Sequence, residues 1–134
     1  MTKIVIDTNI VISAFISEHG SPAKILDLVT ENKDIQVCYN DKILWEYNNV
    51  FTRDKFKKYN FNVDLFDNFI NFIKTEGYLI NPNTSDYHMS HEDDRIFYDT
   101  AKESNAILVT GNIKHFPKEP FIMSPEDFIQ RMEI

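Results

Sequence analysis

Ile4-Val5-Ile6 runs straight into an acid, Asp7, and after Thr8 and Asn9 the chain is apolar again, with one serine, from Ile10 to Ile16. A short β-branched run of this kind reads as a strand buried on both faces. The apolar stretch after it is too long for a turn and reads as the start of a helix. Asp7 therefore stands where a buried strand ends, and the carboxylate is expected to be half-buried. A half-buried charge needs a partner.

The same alternation continues along the chain. Ser21-Pro22 opens a helix through about Glu31, with the serine as cap, proline at the first helical position, and Ala23, Ile25, Leu26, Leu28 and Val29 on its buried side. Residues 35–40 read as a second strand. Ile43, Leu44, Tyr47, Val50 and Phe51 make one helical stripe, and Leu65, Phe66, Phe69, Ile70 and Ile73 make another that Gly77 ends. Residues 78–81 suggest a third strand, 92–104 a helix, 106–110 a fourth strand and 120–123 a weak fifth. Ser124-Pro125 starts a terminal helix. Strands alternating with helices predict a three-layer α/β/α sandwich around a mainly parallel sheet of four to five strands. Sites in such sheets form beyond the carboxyl ends of the strands.

A chain of 134 residues falls in the range of a single domain, expected over 1–134. Cys38 stands alone, which rules out an internal disulfide and a cysteine-built zinc site and fits a reducing, cytoplasmic setting. No apolar run approaches the roughly 20 residues of a membrane span. The net charge of −7 argues against a protein that holds nucleic acid by general electrostatics. It leaves room for an enzyme whose bound cations supply positive charge locally.

Four polar residues fall near one sheet edge. Asp7 and Asn112 follow strands, Glu46 sits at the margin of its helix's apolar stripe, and Asp94 centres a helical face with Phe97, Tyr98, Ala101 and Asn105. Ser90 with Asp93 resembles a capping box, which accounts for Glu92 and Asp93 as first-turn acids but not for Asp94. Three inward carboxylates without basic partners raise one another's pKa. A divalent cation removes that repulsion, and all-oxygen ligation selects Mg²⁺ or Mn²⁺ over zinc. Such ions serve phosphodiester hydrolysis.

The stretches "IVIDTNIVISAF", "ILWEYNNVF", "DDRIFYDTA" and "AILVTGNIKHF", in that order and spacing, resemble the PIN-domain ribonucleases, and among them the VapC-like toxins of bacterial toxin-antitoxin pairs. The resemblance implies a PIN-like fold and a metal-dependent endoribonuclease acting on RNA. It also implies a cognate antitoxin protein as partner and a homodimer. Its metal-holding and catalytic acids match Asp7, Glu46 and Asp94, the last because Ala101 stands seven residues later, as in the family pattern. The fourth family position is most often Asp and here is Asn112, whose amide oxygen ligates Mg²⁺ without adding charge. Thr8, Asn9 and Thr110 match polar positions that orient acids and waters, with Asp93 beside them.

Arg53, Lys55, Lys57 and Lys58 interleave with aromatics and read either as an RNA-backbone guide or as a solvated helix end. Lys114 and His115 follow Asn112 closely enough to reach substrate. His88 and His91 flank the Asp93–Asp94 turn. Two other readings stay open: a PIN-like module that binds RNA or protein without cleaving, and an aspartyl-phosphate enzyme or receiver domain with Asp7 as nucleophile.

Overall fold

The structure is a computed structural model and describes residues 1–52, 59 and 62–133. Among these, five strands form one sheet: β1 (Thr2–Ile6), β2 (Ile35–Tyr39), β3 (Tyr78–Leu79), β4 (Ile107–Val109) and β5 (Ile122–Met123). Their order is β3-β2-β1-β4-β5, and every pairing is parallel. Helices α1 (Thr8–Ile16), α2 (Ser21–Glu31), α3 (Asp41–Phe51), α4 (Val63–Glu76), α5 (Arg95–Ser104) and α6 (Pro125–Met132) complete the predicted α/β/α sandwich.

Ile4, Val5 and Ile6 are all fully buried, as a strand covered on both faces requires. Helix α5 packs on β1, β2 and β4, while α2 and α4 pack on β2. Phe51 and Phe66 stack with centroids 3.9 Å apart, and Phe15 meets both edge-on, so α1, α3 and α4 share one aromatic cluster.

Several local expectations are corrected. Gly20, not Ser21, caps α2, and Ser21 lies inside the helix; Ser124 does cap α6, accepting from Asp127 N at 3.1 Å. Leu65 is exposed although it shares a helix with Phe66, Phe69, Ile70 and Ile73, because the buried face of α4 is too narrow to take all five. The helix expected over 92–104 begins as a 3-10 turn, Glu92–Asp94, and becomes α-helical at Arg95. His91 is the cap residue of that turn, and no side chain caps it among the described residues, so the Ser90–Asp93 capping box does not form. Asn105, expected on the inward face, instead ends α5 in a left-handed conformation with φ 57°. Gly77 ends α4 with an ordinary φ of −80°; what demands glycine is crowding, since an added Cβ would meet Ile73 O and lie 2.8 Å from Val37 O.

Candidate active site

The pairing of Ile6 with Val109 brings the next residues of β1 and β4, Asp7 and Thr110, side by side at the carboxyl edge of the sheet. Asp7 N donates to Val109 O at 3.0 Å, which continues the ladder by one bond. Thr110 Oγ1 donates to Asp7 Oδ2 at 2.6 Å and accepts from Asn112 N at 3.0 Å. One threonine thus orients the acid and fixes the backbone at Asn112.

Asp7 is also the N-cap residue of α1, but among the described residues its carboxylate makes no cap hydrogen bond. At 4% exposure it is more deeply buried than the half-burial expected from sequence. Burial pushes its pKa from 3.8 up to about 6, the Thr110 hydrogen bond opposes this, and the Asp94 charge adds to it. Asp94 lies at the start of α5, and its side chain is 17% exposed. Burial raises its pKa too, against the charges of His115 and His91.

Glu46 is buried at 7% exposure on α3, the helix that follows β2. Its neighbour Tyr47 donates from Oη to Ile6 O at 2.5 Å. Fully buried, and facing the Asp7 charge, the Tyr47 phenol is held far above its usual pKa. This bond joins the residue after Glu46 to the residue before Asp7. Asn40, just past β2, caps α3 by accepting from Ile43 N at 3.0 Å, and its Nδ2 donates to Thr100 Oγ1 and Ile80 O, each at 3.0 Å. It connects the helix of Glu46 to the helix of Asp94. Neither Tyr47 nor Asn40 is marked as functional in the sequence, since Tyr47 reads as core and Asn40 reads as the end of the second strand, where the structure instead makes it the cap of α3.

Arg95 acts as a clamp on the loop before the site. It donates to Ser85 O and to Tyr87 O, each at 2.8 Å, and pairs with Glu92 at 2.8 Å. Asp99, buried one turn later, accepts from Ser85 N at 3.0 Å. His115 reaches the site from the 3-10 turn Ile113–His115, with Nδ1 3.3 Å from Asp94 Oδ2, and its ring lies 4.3 Å from that of His91. Lys114, Asn9 and Asp93 are exposed. Arg53, Lys55, Lys57 and Lys58 lie outside the described residues.

Donor chemistry at this edge suits a hard divalent ion. Asp94 Oδ2 and Thr8 Oγ1 are buried with no hydrogen-bond partner among the described residues; His115 Nδ1 approaches Asp94 Oδ2 at 3.3 Å outside hydrogen-bond geometry. The Asp94 charge adds to the cost of ionising Asp7, which a cation would reverse. Among the described residues no three His, Cys, Asp or Glu side chains converge into a ready cage. A divalent ion that keeps several waters needs only one or two carboxylates from the protein.

Among solved structures, the fold is similar to that of a chain in the crystal structure of VapBC2 from Rickettsia felis bound to a DNA fragment from their promoter. The TM-score is 0.53 at 19% identity, over 92% of this chain and 97% of that one. In sequence, the chain is 38% identical over 110 residues to the uncharacterized protein MJ1680 of Methanocaldococcus jannaschii, which spans 82% of this chain and 70% of that protein. The family described as PIN domain matches residues 3–114, from the first strand through the Asn112 turn. The chain belongs to the PIN-domain family.

Proposed function

We propose that this PIN-domain protein is a Mg²⁺- or Mn²⁺-dependent endoribonuclease and the toxin of a toxin-antitoxin pair. The observation that carries the reading is Asp7: a buried carboxylate, oriented by Thr110, raised in pKa further by the Asp94 charge, and making no side-chain cap hydrogen bond among the described residues. In this reading Asp7 and Asp94 hold the ion first, with Glu46 and the uncharged oxygen of Asn112 as further ligands drawn in once it is bound. When bound, the ion supplies Lewis-acid charge and acidifies water. Thr110 holds one oxygen of Asp7 in place, and Tyr47 and Asn40 set the spacing of the acid-bearing elements. Lys114 is exposed beside the site, where a cation meets the RNA backbone. The products are 5′-phosphate and 3′-hydroxyl ends.

An antitoxin partner is supported by the likeness in fold to a VapBC2 chain and by a second surface. A groove of about 550 Å³ between α1, α2 and α4 is lined by Phe15, Leu26, Leu65, Phe69 and Phe72, together with Glu18 and Asp27. Apolar residues edged by acids suit an amphipathic segment carrying basic side chains. Asp7, Glu46 and Asp94 are not among the described residues that line this groove, so a partner seated here could also reach the site acids through a separate basic side chain.

The test compares wild type and Asp94→Asn on single-stranded RNA with Mn²⁺. Wild type cleaves, and the variant loses at least about 100-fold in rate while keeping its fold. Asp94→Asn protein with full metal-stimulated cleavage would overturn the assignment.

A further inference from the structure

We propose that His115 is a nitrogen ligand of the ion held at Asp94, giving the site a mixed donor set that ranks Co²⁺ above Mn²⁺ and both above Mg²⁺. The inference rests on the nuclease reading only in taking a divalent ion to bind here. His115 Nδ1 lies 3.3 Å from Asp94 Oδ2. Two donors bound cis to one ion at about 2.1 Å stand about 3 Å apart, so this pair already spans close to one coordination edge. The oxygen concerned is buried and without a hydrogen-bond partner among the described residues.

The backbone that carries the imidazole is fixed by its turn, and one face of the ring is packed. His115 N donates to Asn112 O at 2.9 Å, closing its 3-10 turn, and the next residue, Phe116, is buried in the core. On the other side the His91 ring packs against it at 4.3 Å with a tilt of 44°. These contacts restrict the ring where it faces Asp94. The protein then contributes two donors at this corner, and water completes the shell.

The choice of ion follows from the donor. Asn112 leaves the end of β4 with a weak, uncharged ligand, and three residues later an imidazole supplies a stronger one. Imidazole nitrogen favours first-row transition metals in the order Mn²⁺ below Co²⁺, whereas Mg²⁺ takes oxygen donors.

The experiment uses the full chain loaded with Mn²⁺ and records electron spin echo modulation from directly bound ¹⁴N. Wild type and His91→Ala show the nitrogen coupling, and His115→Ala loses it. In calorimetric titrations, His115→Ala weakens Co²⁺ binding about tenfold or more and Mg²⁺ binding less than about twofold. Absence of nitrogen coupling in wild type overturns the inference, even should His115→Ala fail to fold. So does a coupling that survives His115→Ala, or an equal loss of Co²⁺ and Mg²⁺ affinity. Nitrogen-coupled Mn²⁺ in a protein that leaves RNA intact would keep this inference and remove the nuclease reading. Cleavage without nitrogen coupling would do the reverse.

Discussion

Thr110 Oγ1 donates to Asp7 Oδ2 at 2.6 Å across 103 positions of sequence. The parallel register of β1 on β4 makes the two neighbours, so the sheet itself assembles this part of the site. The threonine side chain is fully buried and also receives Asn112 N, which leaves it little freedom. A carboxylate fixed this way meets an ion without first losing rotamer entropy.

Replacing Thr110 by valine keeps the shape and removes the donor. The hydrogen bond is the main influence lowering the Asp7 pKa, so the value climbs above about 6. Mn²⁺ affinity measured by calorimetry then falls about tenfold near neutral pH. The deficit shrinks as pH rises and Asp7 ionises in both proteins. A deficit that stays constant with pH would show that Thr110 acts by shape alone.

Without metal, Asp7 makes stability depend on pH in a defined direction. Its pKa is about 6 when folded against an ordinary 3.8, so between these values the folded state holds a proton that the unfolded state has lost. Stability therefore falls as pH rises through that window, by about 3 kcal/mol, and levels off above it. The raised pKa of Asp94 adds a change of the same sign. On the proposed metal reading the ion binds the ionised acids, so Mn²⁺ raises Tm at neutral pH and barely changes it in the acid range. Thermal melts of wild type and Asp7→Asn, with and without Mn²⁺, check this; the variant loses most of both effects.

The fold and the acids were legible for the same reason: local pattern. A β-branched run ending in Asp7, and a helical face that Phe97, Tyr98 and Ala101 share with Asp94, mark inward acids without knowledge of the rest of the chain. The Asp94 reading survives although its turn is 3-10, because Asp93 is still directed to solvent and Asp94 partly inward. Leu65 was misplaced because hydrophobicity alone does not define the width of a buried face. Asn40 bonds Thr100, 60 residues away, and His91 meets His115 from a different turn. Such pairings depend on register and crossover geometry, which no local pattern encodes.

Tyr47→Phe removes the hydroxyl that donates to Ile6 O and leaves that carbonyl short of a partner in the core. The expected loss is about 1–3 kcal/mol in denaturant unfolding. Because the bond links the neighbours of Glu46 and Asp7, metal affinity falls along with stability. A variant as stable as wild type would mean that the Ile6 carbonyl is satisfied without the phenol.

Asn40→Ala removes a cap and two long-range bonds at once. A lost cap costs about 1 kcal/mol, and unpairing the buried Thr100 hydroxyl adds about 1–3 kcal/mol. Combined with Thr100→Val in a double-mutant cycle, the two substitutions are sub-additive by about 0.5–3 kcal/mol, since they share one bond. Additive losses would disconnect α3 from α5 at this point.

Asn112→Asp adds a charge at the fourth position of the proposed site, which the resemblance in sequence matches to a family position that is most often Asp. The backbone there is already fixed by the bond from Asn112 N to Thr110 Oγ1, so the substitution changes charge with little change in shape. In the metal-free protein the added carboxylate stands near Asp7 and Asp94, whose pKa values are already raised. It therefore lowers Tm at neutral pH and makes the metal-induced rise larger. With Mn²⁺ it tightens binding by about tenfold, because the cation now meets one more negative oxygen. If Asn112 is what limits the site to one strongly held ion, the variant also titrates with a second equivalent of Mn²⁺. Calorimetry that returns the wild-type affinity and stoichiometry would place residue 112 outside the ligand set.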